Sequence, residues 1–268
     1  MLQALSLCLL LAQAGLPLTQ DPADDPTTEA LLAELGRSGV QLDLERGLVG
    51  VECSVRVRQD LLEYLLTGPD GSTHETLLVT QARPSLVNAA LLLLGLEKGQ
   101  NAAWVPRDPE PTPEEREAGV DPYELIYPSG DGLYLHLAWR EGGETYLYRV
   151  EDLINNLHTG RAMRRHRWVY LGSRFAVVRP GEDESFVADA EQNLINISFF
   201  HEGNTLFTGS LPECRQQTIW VPNAWLLPAA EERVQLVLAR RPLTELPQGW
   251  IEGLPEVEPP APVESAGG

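Results

Sequence analysis

The sequence predicts an α+β fold, mostly antiparallel β-sheet with one buried apolar helix and one or two short helices. Strand-like segments outnumber helical ones, short turns join most neighbours, and residues 84–94 carry helical punctuation at both ends. Pro84 suits the first helical position, where its missing N–H costs nothing. Gly95 suits the left-handed residue that closes a helix. Between them Leu86, Val87, Ala89, Ala90, Leu91, Leu92, Leu93 and Leu94 leave almost no polar face, which predicts burial all round. The stretch is too short to cross a bilayer.

Residues 1–14 read as a signal peptide: the run is apolar, and Ala12-Gln13-Ala14 before Gly15 gives a small-residue cleavage pattern. The usual basic start is missing, since the first cationic side chain is Arg37, and an uncleaved N-terminal anchor is the alternative. Secretion or export to a periplasm follows from the first reading, with no membrane segment left after cleavage. Residues 15–39 form an exposed acidic lead-in with a short helix over 29–35. Residues 40–246 carry the patterning of one globular domain.

Within it, residues 40–44 and 47–57 alternate as strands, with Val49, Val51, Cys53, Val55 and Val57 on one face. Residues 61–67 and the strand from His74 flank Gly68-Pro69-Asp70-Gly71, which reads as a hairpin. A short strand over 102–105 precedes 106–121, a proline-rich acidic insertion expected to be exposed and flexible. A second hairpin pairs 133–139 with 145–150 across Glu141-Gly142-Gly143. Residues 151–157 suit a short helix. Strands at 168–171, 174–178, 185–190 and 194–200 read as a meander, and 234–239 as a last strand. From Pro247 the chain turns to proline and acid without periodicity, so 247–268 is expected to be a disordered tail.

The net charge of −19, from 39 acids and 20 bases, disfavours nucleic acid and anionic lipid as partners. Lys98 is the single lysine. After signal removal two cysteines remain, Cys53 and Cys214, an even count that admits a disulfide in an oxidising compartment; the alternative is two unlinked thiols. They are too few for an iron–sulfur cluster or an all-cysteine zinc site, and no cofactor is expected.

Two constellations carry chemistry. His74-Glu75 offers an imidazole beside a carboxylate, although neighbours in a strand point to opposite faces and need partners from elsewhere. A metal alternative would join His74 to the remote His201, since no metal-ligand spacing occurs locally. The second is a basic island in an acidic chain: His158, Arg161, Arg164, Arg165, His166 and Arg167. Guanidinium forks suit carboxylates and phosphates, so the island is a candidate anion site. It is equally suited to pair with the acidic segments 108–121 and 182–191 of the same chain. No nucleophile elbow or phosphate loop is present. Trp220 and Trp225 bracket WVPNAW, either as an exposed recognition pair or as core.

Three stretches resemble the YdjY domain of secreted bacterial proteins: LEYLLTGPDGSTHETLLV, RPSLVNAALLLLGLEKG, and WVYLGSRF followed by FVADAEQNLINI. The resemblance spans about residues 40–239. It implies an exported protein with one coherent domain and no assigned activity. Iron–sulfur-type cysteine motifs occur in some relatives; this chain lacks them, so that chemistry is not implied. The expected function is a non-catalytic module binding a small anionic ligand or a protein partner. The alternatives are a metal-dependent or acid–base hydrolase using His74 and Glu75, and a structural component of a cell-envelope assembly.

Overall fold

The computed structural model describes residues 26–258, apart from Glu182 and His201. The predicted signal peptide, the last ten residues of the expected tail and His201 therefore lie outside the described residues.

Alternating apolar residues build the centre. Strand β2 (Leu48–Val55) turns Val49, Val51, Cys53 and Val55 into the main core, as its period-two pattern predicts. It pairs on one side with β1 (Val40–Asp43) and, through Val234↔Cys53 and Leu236↔Val51, with β17 (Arg233–Ala239). Strand β7 (Gly132–Glu141) lies on the other side of β17, in register Leu236↔Leu137. The sheet continues through β11 (Trp168–Tyr170), β15 (Phe207–Thr208), β14 (Asn193–Asn196), β3 (Tyr64–Thr67) and β4 (Thr76–Val79). Ser54↔Val79 and Val55↔Leu78 then join β4 back to β2, so eight strands close into a barrel filled by side chains.

The protein is β-rich with few helices, as predicted, but the sheet is mixed and closed. The expected hairpin at Gly68–Gly71 is a correction: β3 and β4 run parallel, with Leu66 opposite Leu78. The reason is a competing set of partners. Gly68 N–H donates to Gln192 O (2.6 Å), Asp70 N–H to Gln192 Oε1 (3.1 Å) and Ser72 N–H to Asn193 Oδ1 (3.0 Å). A Cβ on Gly71 would sit 2.6 Å from Gln192 O, so this approach requires glycine. The loop is thereby tied to the strand next door and the chain re-enters alongside itself.

The expected meander is also replaced. Strand β14 is parallel to β15 and antiparallel to β3, while β12 (Phe175–Ala176) and β13 (Ser185–Phe186) form their own ribbon. Helix α4 (Val187–Glu191) takes up residues 187–190, which the pattern assigns to a strand, and ends at Gln192 in the left-handed conformation. Residues 150–157 hold a 3-10 turn, Val150–Leu153, and then β9 (Ile154–Asn156). The second hairpin stands as predicted: β7 pairs with β8 (Glu144–Arg149) across Gly142 and Gly143, both at positive φ.

Helices α1 (Pro26–Arg37) and α2 (Pro84–Leu93) pack against each other beside β1. Pro84 opens α2 and Gly95 follows it at φ 80°, as expected. The predicted complete burial fails. Pro84, Val87, Ala90 and Leu91 are buried, but Leu92 and Leu93 are 52% and 41% exposed because the core meets only one face. The acidic insertion is exposed around one short capped helix, α3 (Pro113–Glu117), between strands β5 (Ala103–Pro106) and β6 (Tyr123–Ile126).

The expected tail is corrected over residues 247–258. There α5 (Gln248–Ile251) places Trp250 on β2, and β18 (Glu256–Val257) pairs with β7. Trp250, Leu246 and Leu254 form a second apolar cluster with Leu48, Ala138, Val237 and Ala239 on the outside of the barrel. Low periodicity hid this, because a few large anchors suffice when the strand surface beneath is apolar. No helix among the described residues is long and apolar enough to cross a membrane.

Candidate functional site

The arginine island forms where a small three-stranded sheet leaves the barrel. Strand β10 (Arg161–Ala162) pairs with β9, and β9 pairs with β16 (Trp220–Pro222). Register places Arg161, Asn156 and Trp220 in one cross-strand row. Residues directly opposite in antiparallel strands share a face. That row backs a cavity of about 390 Å³, whose remaining wall includes Met163, Leu211, Arg164 and Glu213.

The island's two readings divide by residue. Arg164 holds Glu213 in a fork of 3.0 and 2.7 Å, and Arg165 holds Asp152 at 3.0 and 2.8 Å. The Arg164 guanidinium keeps the Glu213 carboxyl below its ordinary range. Arg167 donates to Gly130 O at 2.8 Å. Internal ion pairing thus neutralises two of the four arginines, and the partners are Glu213 and Asp152, not segments 108–121 and 182–191. Arg161 differs. Its guanidinium is exposed and makes no hydrogen bond or ion pair among the described residues, while the residue lines the cavity. His158 is exposed, and its backbone N–H donates to Asn156 Oδ1 at 2.9 Å.

His166 belongs to a buried cluster beneath the island. Glu151, fully buried, accepts from Arg149 Nη2 (2.6 Å), Trp168 Nε1 (3.1 Å) and His166 N–H (3.3 Å), all on Oε1. The His166 ring lies 4.8 Å from that of Trp168, and burial pushes its pKa down, partly opposed by Glu151. This cluster fixes the stem from which the island projects; it has no open face to present.

His74 and Glu75 approach to 3.8 Å in the turn before β4. The His74 side chain is 81% exposed, so water surrounds the ring. Glu63 joins them, its pKa raised by burial first and then by the Glu75 charge. No group of three or more His, Cys, Asp or Glu able to hold a metal occurs among the described residues.

Of the two readings of the cysteines, the structure has the unlinked one: Cys53 and Cys214 are both free and buried. Cys53 sits inside the barrel with Sγ 3.5 Å from Val234 O, and Cys214 lies in the turn Pro212–Arg215. Burial pushes both thiols up to about 12, which leaves them neutral and unreactive. The WVPNAW pair splits: Trp220 is core at 1% exposure and Trp225 stands 97% exposed.

Asn156, Met163, Leu211 and Glu213 went unassigned from sequence, since they converge with Trp220 from four separate segments. A usable signal existed for Asn156 alone, an Asn two to three residues before His158-Thr159, whose amides its side chain caps.

Comparison with known proteins adds no relative: no family model, no curated protein and no solved structure matches this chain.

Proposed function

We propose that this protein is a non-catalytic binding module whose ligand is a small organic monoanion held at the Arg161 cavity. The observation that carries the reading is Arg161, an unengaged guanidinium lining a concavity whose other cation is already neutralised by Glu213. Met163, Leu211 and Trp220 supply an apolar floor, and Asn156 and Thr159 supply polar atoms beside the charge. Apolar walls with placed polar groups are what small-molecule sites share. One free positive charge beside a fixed carboxylate favours a monoanion over a polyanion.

Calorimetric titration with sodium benzoate tests it. Binding is expected, with Arg161→Ala weakening it about tenfold or more, since a charge-assisted hydrogen bond contributes about 1.5–3 kcal/mol. Equal affinity in the variant would sink the assignment. Export is part of the proposal and rests on the apolar N-terminal run with its Ala12-Gln13-Ala14 pattern. Membership of a YdjY-like group is proposed on the three quoted stretches alone. The His74 side chain is 81% exposed, which gives a hydrolase no enclosing wall there.

A further inference from the structure

A second concavity combines leucine walls with a charged lip. Its volume is about 950 Å³, within the roughly 300–1,000 Å³ range of small-molecule sites. Leu44, Leu93, Leu243 and Leu246 line it. Leu44 is 55% exposed and Leu93 41%, so two large apolar side chains face water at its rim. The wall is held in place: Leu243 N–H donates to the buried His136 Nε2 at 3.1 Å, and Leu246 is anchored in the outer apolar cluster.

Three arginines stand around this cavity and they are not equivalent. The Arg240 guanidinium donates to Leu94 O at the end of α2, so it is spent on the helix terminus. Arg46 pairs with Asp43 at 3.1 Å and with Glu45 at 3.7 Å. Arg241 is exposed and makes no hydrogen bond or ion pair among the described residues. Glu45 and Glu245 also line the lip, which disfavours a multiply charged ligand.

We infer that this cavity binds a free single-chain fatty acid, its acyl chain along the leucine walls and its carboxylate at Arg241. Charge complementarity chooses the occupant: one unengaged cation at the mouth of an apolar slot matches one carboxylate on an apolar chain. A neutral lipid would leave Arg241 unused. A bilayer of anionic lipid would bring many negative charges against a chain of net charge −19. The inference is independent of the Arg161 reading, which concerns a different cavity.

The test is titration of the full chain with sodium octanoate, decanoate and dodecanoate below their micelle concentrations. Affinity is expected to rise with length, by up to about fourfold per methylene buried. Arg241→Glu is expected to weaken dodecanoate at least tenfold and to leave dodecanol unchanged. Leu44→Asp, at an exposed position that folding tolerates, is expected to weaken both. Binding that ignores both substitutions places the fatty acid elsewhere and overturns the assignment, as does no binding at all. Binding to phosphatidylglycerol vesicles without binding of monomeric dodecanoate overturns it in favour of a membrane surface.

Discussion

His136 shows how one buried side chain sets acid sensitivity. Its Nε2 accepts the Leu243 N–H, and burial, then the Arg149 charge, hold its pKa down to about 4 from an ordinary 6.5. Between those values the unfolded chain binds a proton that the folded chain refuses. Its contribution is therefore complete above pH 6.5 and lost as pH falls toward 4, by about 3 kcal/mol at most. Urea unfolding from pH 7 to 4.5 should show that decline, and His136→Gln should flatten it. Identical slopes in both proteins would exclude His136 as the cause. Glu151 belongs to the same scale. Removing its charge strands Arg149 in the interior, so Glu151→Gln should cost about 3–5 kcal/mol. The double variant Glu151→Leu with Arg149→Met should recover much of that in the same assay. His74, by contrast, is surrounded by water, and His74→Ala should move stability by less than about 0.5 kcal/mol.

At the scale of elements, α5 is the informative one, because composition marks it as tail and packing makes it structure. Trp250 lies over Gly50: a Cβ there would meet Trp250 at 2.9 Å and Gln235 Nε2 at 2.4 Å. Gly50 is thus the seat of the indole, and Gly50→Leu should unseat it as surely as Trp250→Ala. Either change should cost about 3–5 kcal/mol, the usual range for losing a large buried aromatic. Hydrogen exchange reports it directly: residues 248–257 should be protected in the parent and exchange freely in both variants. Free exchange already in the parent would refute the docked arrangement. The parallel entry of β4 teaches the reverse lesson, since there a strong turn signal is present but its amides bond to Gln192 and Asn193.

For the molecule as a whole, closure of the sheet is what shields its reactive groups. Six of the eight barrel pairings are antiparallel and two, β3–β4 and β14–β15, are parallel. Cys53 is buried, with 6% exposure at the wall of a surface concavity, and Cys214 is fully buried. In a Cys8→Ser protein both thiols should stay silent to a thiol reagent at pH 8 and appear together on unfolding. One fast-reacting thiol in the native state would mean that one of these two residues is accessible. Both cavities lie at the periphery of the barrel: one on β9, β10 and β16, the other between the 44–48 turn, the end of α2 and the 240–248 segment.

The sequence alone determined the β-rich class, the facing of β2, the β7–β8 hairpin and the ends of α2. Each of these is decided by neighbours within a few residues, through period-two alternation or a proline and glycine at fixed offsets. It also singled out the arginine island, because a dense basic run in an acidic chain is a compositional fact. Only the tertiary structure decided which arginine is left over. Asp152 and Glu213 take Arg165 and Arg164, and neither acid is a sequence neighbour of its partner. The same is true of the free thiols, the exposed Leu92 and Leu93, the docked Trp250 and the parallel β3–β4 pair. In each case the outcome depends on what lies opposite across the fold, and chain distance carries no record of that.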